Sequence, residues 1–161
     1  MKNKKLFYTF LTISILFFIL ILRLSLSGGE ESSSQSSIFT DVIINIIPPI
    51  IDSSGNNIFE GEWFLGFVRK LFGHYGLFFA FAIFVNSTFL QTKIKIIQTF
   101  IFSFLVGLFT AVISELIQMI PQGRTASYID VLIDSFGYLT CIIIFAIIIL
   151  IVNKKKSKKL T

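Results

Sequence analysis

The hydrophobic pattern of this chain is neither the alternation of a half-buried strand nor the stripe of a surface helix. It consists of long apolar blocks separated by short polar breaks. Four blocks reach the ~20 residues that a helix needs to cross a hydrocarbon core. They cover 6–26, with Arg23 near the far end, then 71–90, 96–120 and 128–152. The breaks are a long segment at 27–70, a tight connection at "QTKIK" and a short one at "PQGRTAS". The pattern predicts an all-α integral membrane protein with four transmembrane helices, in a single domain over 1–161.

Charge orients the spans. Lys2, Lys4 and Lys5 precede the first, Lys93 and Lys95 separate the second and third, and Lys154, Lys155, Lys156, Lys158 and Lys159 follow the fourth. Four antiparallel spans put all of these on one side. The positive-inside rule names that side cytoplasmic, and both termini with it. Arg23, Arg69, Lys70 and Arg124 fall toward the outer side, as do the 9 acidic residues. "MKNKK" also suits the start of a signal peptide, with Ser25-Leu26-Ser27 as a cleavage site. The apolar run exceeds the usual ~7–15 residues of such a peptide, which favours an uncleaved anchor.

The outer segment divides in two. "SGGEESSSQSS" reads as a flexible linker. "IFTDVIINIIPPII" is apolar but too short to span, and reads as an interfacial or re-entrant piece stopped at Pro48-Pro49. Trp63 fits an interfacial aromatic anchor. Composition agrees with the membrane reading: 54% of the 161 residues are hydrophobic, 20 are Phe and only 14% are charged. A soluble domain carries roughly 25% charged residues. Mean hydropathy is +0.84. The net charge of +5 lies at span ends, so no nucleic-acid partner is expected. The single cysteine, Cys141, excludes an internal disulfide and a CxxC site.

Polar residues then stand out by depth. With ~1.5 Å of rise per residue, Glu115 lies roughly 7–8 Å inside its span, Asp134 about 9 Å and His74 about 5 Å. Glu115 and Gln118 share a helix face, and Asp130, Asp134, Gly137 and Cys141 form one stripe. Ser103, Gly107 and Ala111 lead to Glu115 in the small-residue pattern that lets membrane helices pack closely. A carboxylate at the centre of a spanning helix costs roughly 2.5–3.5 kcal/mol. Arg124, with Arg69 and Lys70, is the expected compensation, and Arg124 can fork two bonds onto a carboxylate. Gly123 suits a tight turn and Pro121 an end to the third helix. Such buried pairs also serve as structural glue.

The Glu, His and Asp donors could in principle hold a divalent metal. No HExxH-type spacing, serine-nucleophile motif, phosphate-cradling loop or nucleotide fingerprint appears. Neither cofactor nor metal is therefore expected, and no catalytic residue is assigned. Ser114 reads as a packing residue beside Glu115.

At these residues the chain resembles the VanZ-like family. One signature is "RKLFGH", with Arg69, Lys70 and His74. The other comprises Glu115, Gln118, Pro121, Gly123, Arg124, Asp130, Asp134 and Gly137. Ser114 stands where the family usually has Asp, Asp134 where it usually has Asn, and Cys141 where a second Gly is frequent. "LFGHYG" departs from the commoner wording around the histidine. The extra charge at Asp134 either alters ligand preference or pairs with His74.

The resemblance implies a multi-pass protein of the bacterial plasma membrane, acting at its outer face. The family's namesake is linked to resistance to teicoplanin, a lipid-tailed glycopeptide active against Gram-positive cell envelopes. Three functions follow as expectations. The first is a non-enzymatic protein that binds an amphiphile: a lipoglycopeptide, a lipid head group or a lipid-linked wall precursor. Its polar layer would be Arg69, Lys70, His74, Glu115, Gln118, Arg124, Asp130 and Asp134, and membrane lipids would surround it. The second is an intramembrane enzyme using Glu115 or His74 as general base on a lipid or wall precursor. The third is a structural assembly subunit.

Orientation is testable with single cysteines in a Cys141→Ser background. Ser34→Cys and Gln122→Cys should label with an impermeant thiol reagent in intact cells, whereas Ile94→Cys and Ser157→Cys should label only after permeabilisation. Labelling of Ile94→Cys in intact cells would reverse the orientation.

Overall fold

The computed structural model describes residues 2–46, 50, 51, 57 and 61–158. Among these, regular structure is helical apart from an isolated antiparallel bridge between Ile51 and Asn57. The helices are α1 (Lys4–Ser25), α2 (Gly29–Ile46), α3 (Glu62–Val68), a π-helical segment (Arg69–Gly76), α4 (Leu77–Leu90), α5 (Ile96–Ile117) and α6 (Tyr128–Lys158). The segments from α3 to α4 follow one another without a break. Four stretches are long and apolar enough to cross a membrane: Lys4–Ser25, Gly66–Leu90, Ile96–Ile117 and Tyr128–Ser157.

All four overlap the expected spans and differ at their edges, by one or two residues at the first. The second starts before Leu71, so His74 sits well inside its helix rather than near the start. The third stops at Ile117, with Gln118 as its C-cap, ahead of Pro121. The fourth carries its helix beyond Val152 into the terminal lysines.

The larger correction concerns the outer segment. The Ser-rich stretch is not a linker but the first part of α2. Composition alone disfavours this helix, and tertiary packing overrides it. α2 lies against α3 and the π segment, with Thr40 3% exposed. Glu31 in its first turn also complements the helix dipole. The expected stop at Pro48-Pro49 falls outside the described residues.

α4 is central and packs against α1, α5 and α6. The core joins Ile21 of α1, Phe78, Phe81, Ala82 and Val85 of α4, Ala111 of α5 and Tyr138, Cys141 and Ile142 of α6. The small-residue row on α5 receives Tyr138: the phenol lies 3.0 Å from Ser103 Oγ, and a Cβ on Gly107 would stand 2.5 Å from the ring. Leu105, Phe109, Leu132, Phe136 and Ile147 face outward, where an apolar surroundings is what such side chains need. The backbone N–H of Lys2 donates to Gln91 O at 2.7 Å. The N-terminus and the α4–α5 connection thus share one end of the bundle, as their lysines require.

At the opposite end α6 meets the π segment backbone to backbone. A Cβ on Gly137 would stand 2.4 Å from the carbonyl oxygen of Tyr75 and 3.0 Å from its carbon. Only glycine allows that approach. Gly137→Ala should therefore lower the midpoint of thermal unfolding in detergent, with a loss of about 1–3 kcal/mol typical of overpacking. Gly66→Ala, whose Cβ would meet nothing within 4 Å, should be tolerated. Equal shifts in the two variants would mean that this close contact does not limit the fold.

Candidate functional site

Four parts of the chain deliver the polar layer. The π segment carries Arg69, Lys70 and His74, and the end of α5 carries Glu115 and Gln118. The α5–α6 connection carries Arg124, and the first turns of α6 carry Asp130 and Asp134. π geometry, with i to i+5 bonding, is uncommon in helices and concentrates at functional sites. Gly123 has φ +77°, a left-handed value natural to glycine. It turns the chain so that Arg124 reaches back over α5. Ser127 then starts α6: its Oγ accepts from Asp130 N at 3.3 Å.

His74 is the centre. Its Nδ1 lies 3.0 Å from Asp134 Oδ1 and 3.9 Å from Glu115 Oε1, and its Nε2 lies 3.9 Å from Asp130 Oδ2. Exposure is 7% for His74, 2% for Glu115 and 0% for Asp134, so water does not serve these groups. Glu115 is held at both oxygens: Gln118 Nε2 donates to Oε1 at 2.5 Å and the backbone N–H of Ser127 donates to Oε2 at 2.9 Å. Lys70 Nζ lies 3.0 Å from Asp130 Oδ1. With 38% of its side chain exposed, Lys70 forms an ion pair of the kind that contributes about 0–1 kcal/mol.

Arg124 does not pair with Glu115 directly, as the sequence suggested. Its guanidinium donates to Gln118 Oε1 and, at 3.4 Å, to the carbonyls of Leu24 and Ser27. The reason is geometric: the Gln118 amide both accepts from Arg124 and donates to Glu115, so it transmits the cation through one hydrogen-bonded relay. Burial, and then neighbouring Arg69, lower the Arg124 pKa from its usual value, opposed by Glu115 and Asp130. A guanidinium remains charged there.

Beside the cluster lies a cavity of about 440 Å³. Ile21, Leu24, Val68, Phe72, Leu77 and Phe78 give it apolar walls. Arg69, His74, Gln118, Arg124 and Asp134 give it a polar floor and rim. Arg69 makes no hydrogen bond or ion pair among the described residues. The structure thus brings His74, Glu115, Gln118, Arg124, Asp130, Asp134 and Lys70 into one contiguous network, and leaves Arg69 facing the cavity alone.

A model of the VanZ/LLP1 family matches residues 9–150. The chain belongs to the VanZ/LLP1 family. It is a multi-pass protein of the plasma membrane. No curated protein and no solved structure matches it. The Ser114 hydroxyl donates to Ala111 O at 2.9 Å, and the residue is 2% exposed. The Asp134 carboxylate meets His74.

Sequence reasoning missed Ser127, which both caps α6 and fixes Glu115. Its signal was the Ser-x-x-Asp spacing to Asp130, a relative of the capping box. It also missed the carbonyls of Leu24 and Ser27, for which a sequence offers no signal because every residue has one.

The relay makes a specific coupling prediction. Arg124→Gln and Glu115→Gln should be non-additive in thermal stability, by an interaction of about 0.5–3 kcal/mol. In a Gln118→Leu background the same cycle should become additive. Non-additivity that survives Gln118→Leu would mean that the two charges act on each other without the amide.

Proposed function

We propose that this protein binds an amphiphile at the outer leaflet, with the anionic head on Arg69 and Arg124 and the tail along the apolar walls of the cavity. The observation that carries this reading is Arg69. It lines the cavity, stands close enough to Arg124 to lower its pKa, and has no carboxylate of its own among the described residues. A guanidinium with no partner among the described residues, beside a second one tied to Glu115 only through an amide, suits at an apolar chamber a phosphate or carboxylate carried on a hydrophobic chain. Lipid head groups, lipid-linked wall precursors and lipid-tailed glycopeptides share that chemistry. Family membership supports the last as a biological setting.

Enzymatic use of Glu115 is the second reading and the weaker one. A general base must reach the substrate, and Glu115 is not among the residues that line the cavity, while Gln118 and Ser127 hold its carboxylate in place. That arrangement suits an anchor better than a base.

Purified protein in nanodiscs should retain phosphatidylglycerol in preference to phosphatidylcholine, read by native mass spectrometry. A charge-assisted hydrogen bond contributes about 1.5–3 kcal/mol, so Arg69→Ala should weaken retention by about tenfold or more. In a susceptible Gram-positive host, expression should reduce sensitivity to a lipid-tailed glycopeptide more than to a tailless one, and Arg69→Ala should abolish the difference. Equal retention of both lipids, unaffected by Arg69→Ala, would remove the basis of this reading.

A further inference from the structure

We propose that His74, Glu115 and Asp134 form a binding site for a divalent transition-metal ion of the Zn²⁺ type. Each residue offers one ligand atom, and these atoms lie within 4.8 Å of one another. Atoms bound to one ion at ~2.0–2.2 Å stand no more than about 4.4 Å apart. The separations from His74 Nδ1, 3.0 Å to Asp134 and 3.9 Å to Glu115, already meet that limit. The three ligands come from three different spans, as in metal sites built between the facing helices of a bundle. Imidazole with carboxylates is a donor set that suits Zn²⁺ and its first-row neighbours.

An independent observation points to a ligand. Asp134 is 0% exposed and borders the cavity, yet its Oδ2 has no hydrogen-bond partner. An orphaned carboxylate oxygen in a buried site is costly. A cation seated between the three residues and held by both oxygens of Asp134 satisfies it. The surroundings are also those of a supported metal ligand. The far ring nitrogen of His74 faces Asp130 Oδ2 at 3.9 Å, and Asp130 is held in turn by Lys70. A carboxylate on the second nitrogen of a metal-bound histidine fixes the ring and raises its basicity. Glu115 is fixed by Gln118 and Ser127 before any ion arrives.

Charge balance agrees. A divalent ion neutralises Glu115 and Asp134 with His74 neutral, and Lys70 neutralises Asp130. Arg124 and Arg69 are then left over for whatever occupies the cavity. The sequence expectation of no metal rested on spacing within single helices. Ligands contributed one per helix leave no such spacing to find.

The test uses the full chain in detergent micelles, stripped with a chelator and titrated with Zn²⁺ by calorimetry, with Co²⁺ absorption as a second readout. One ion per chain is expected, and bound Co²⁺ should show the visible bands of a low-coordinate N/O site. Zn²⁺ should raise the unfolding midpoint. His74→Gln and Asp134→Asn should each weaken binding at least 100-fold. Asn is nearly isosteric with Asp and removes only the charge, so that variant is expected to fold. Asp130→Asn should weaken binding about 10–100-fold with unchanged stoichiometry. Arg69→Ala should leave metal binding intact while removing anionic-lipid retention, which separates this site from the amphiphile reading. Folded wild-type protein that takes up no stoichiometric Zn²⁺, or Asp134→Asn protein that binds it as tightly as wild type, would overturn the proposal.

Discussion

A carboxylate without access to water needs a donor or a cation at contact distance, and much of this fold serves to bring one to Asp134. His74 is that partner. It can be so only because the π segment and α6 touch along their backbones at Gly137 and Tyr75. A side chain at that contact would hold the two elements apart and leave Asp134 facing hydrocarbon. The rest of the polar layer extends outward from this contact. Glu115 closes one side of the ring, Asp130 the other, and the α5–α6 connection folds over them to supply Ser127 N–H and Arg124.

The cations are distributed unequally among the acidic groups. Lys70 meets Asp130 at a partly exposed position, and Arg124 is tied to Glu115 through an amide. Arg69 is committed to neither. Glu115 and Asp130 thus find donors or cations within the bundle, Asp134 keeps one oxygen without a donor, and two guanidiniums line the cavity. α2 contributes Ile38 to that side, so a helix that the composition concealed forms part of the chamber wall.

The spans were legible because the bilayer imposes one strong rule: about twenty apolar residues leave little else for a chain to do. The polar stripes on α5 and α6 were legible for a related reason, since each charge there interrupts an otherwise uniform background. Periodicity placed Glu115 with Gln118, and Asp130 with Asp134, on shared faces, and the folded chain keeps both pairs in one network. α2 was not legible, because its stability comes from docking rather than from its serines. The π segment was not legible either. "RKLFGHYG" has no composition that distinguishes five-residue bonding from four. The Gln118 relay was hidden by the habit of pairing opposite charges directly, when a neutral amide with both a donor and an acceptor can stand between them.

The π segment also acts on the helix that contains it. Successive residues of an α-helix are offset by about 100° around the axis. A stretch with extra residues per turn re-phases everything beyond it. Upstream, Phe64 and Val68 are buried, and downstream, Phe78, Phe81, Ala82 and Val85 are buried. A continuous α-helix would not hold both sets at their present angles to the bundle. The segment is therefore a phase adjuster built into a spanning helix. It lets the cavity-side half face α2 while the core half faces α6. One residue deleted within 70–73 would rotate one half against the other, and would turn Arg69 away from His74 without altering either.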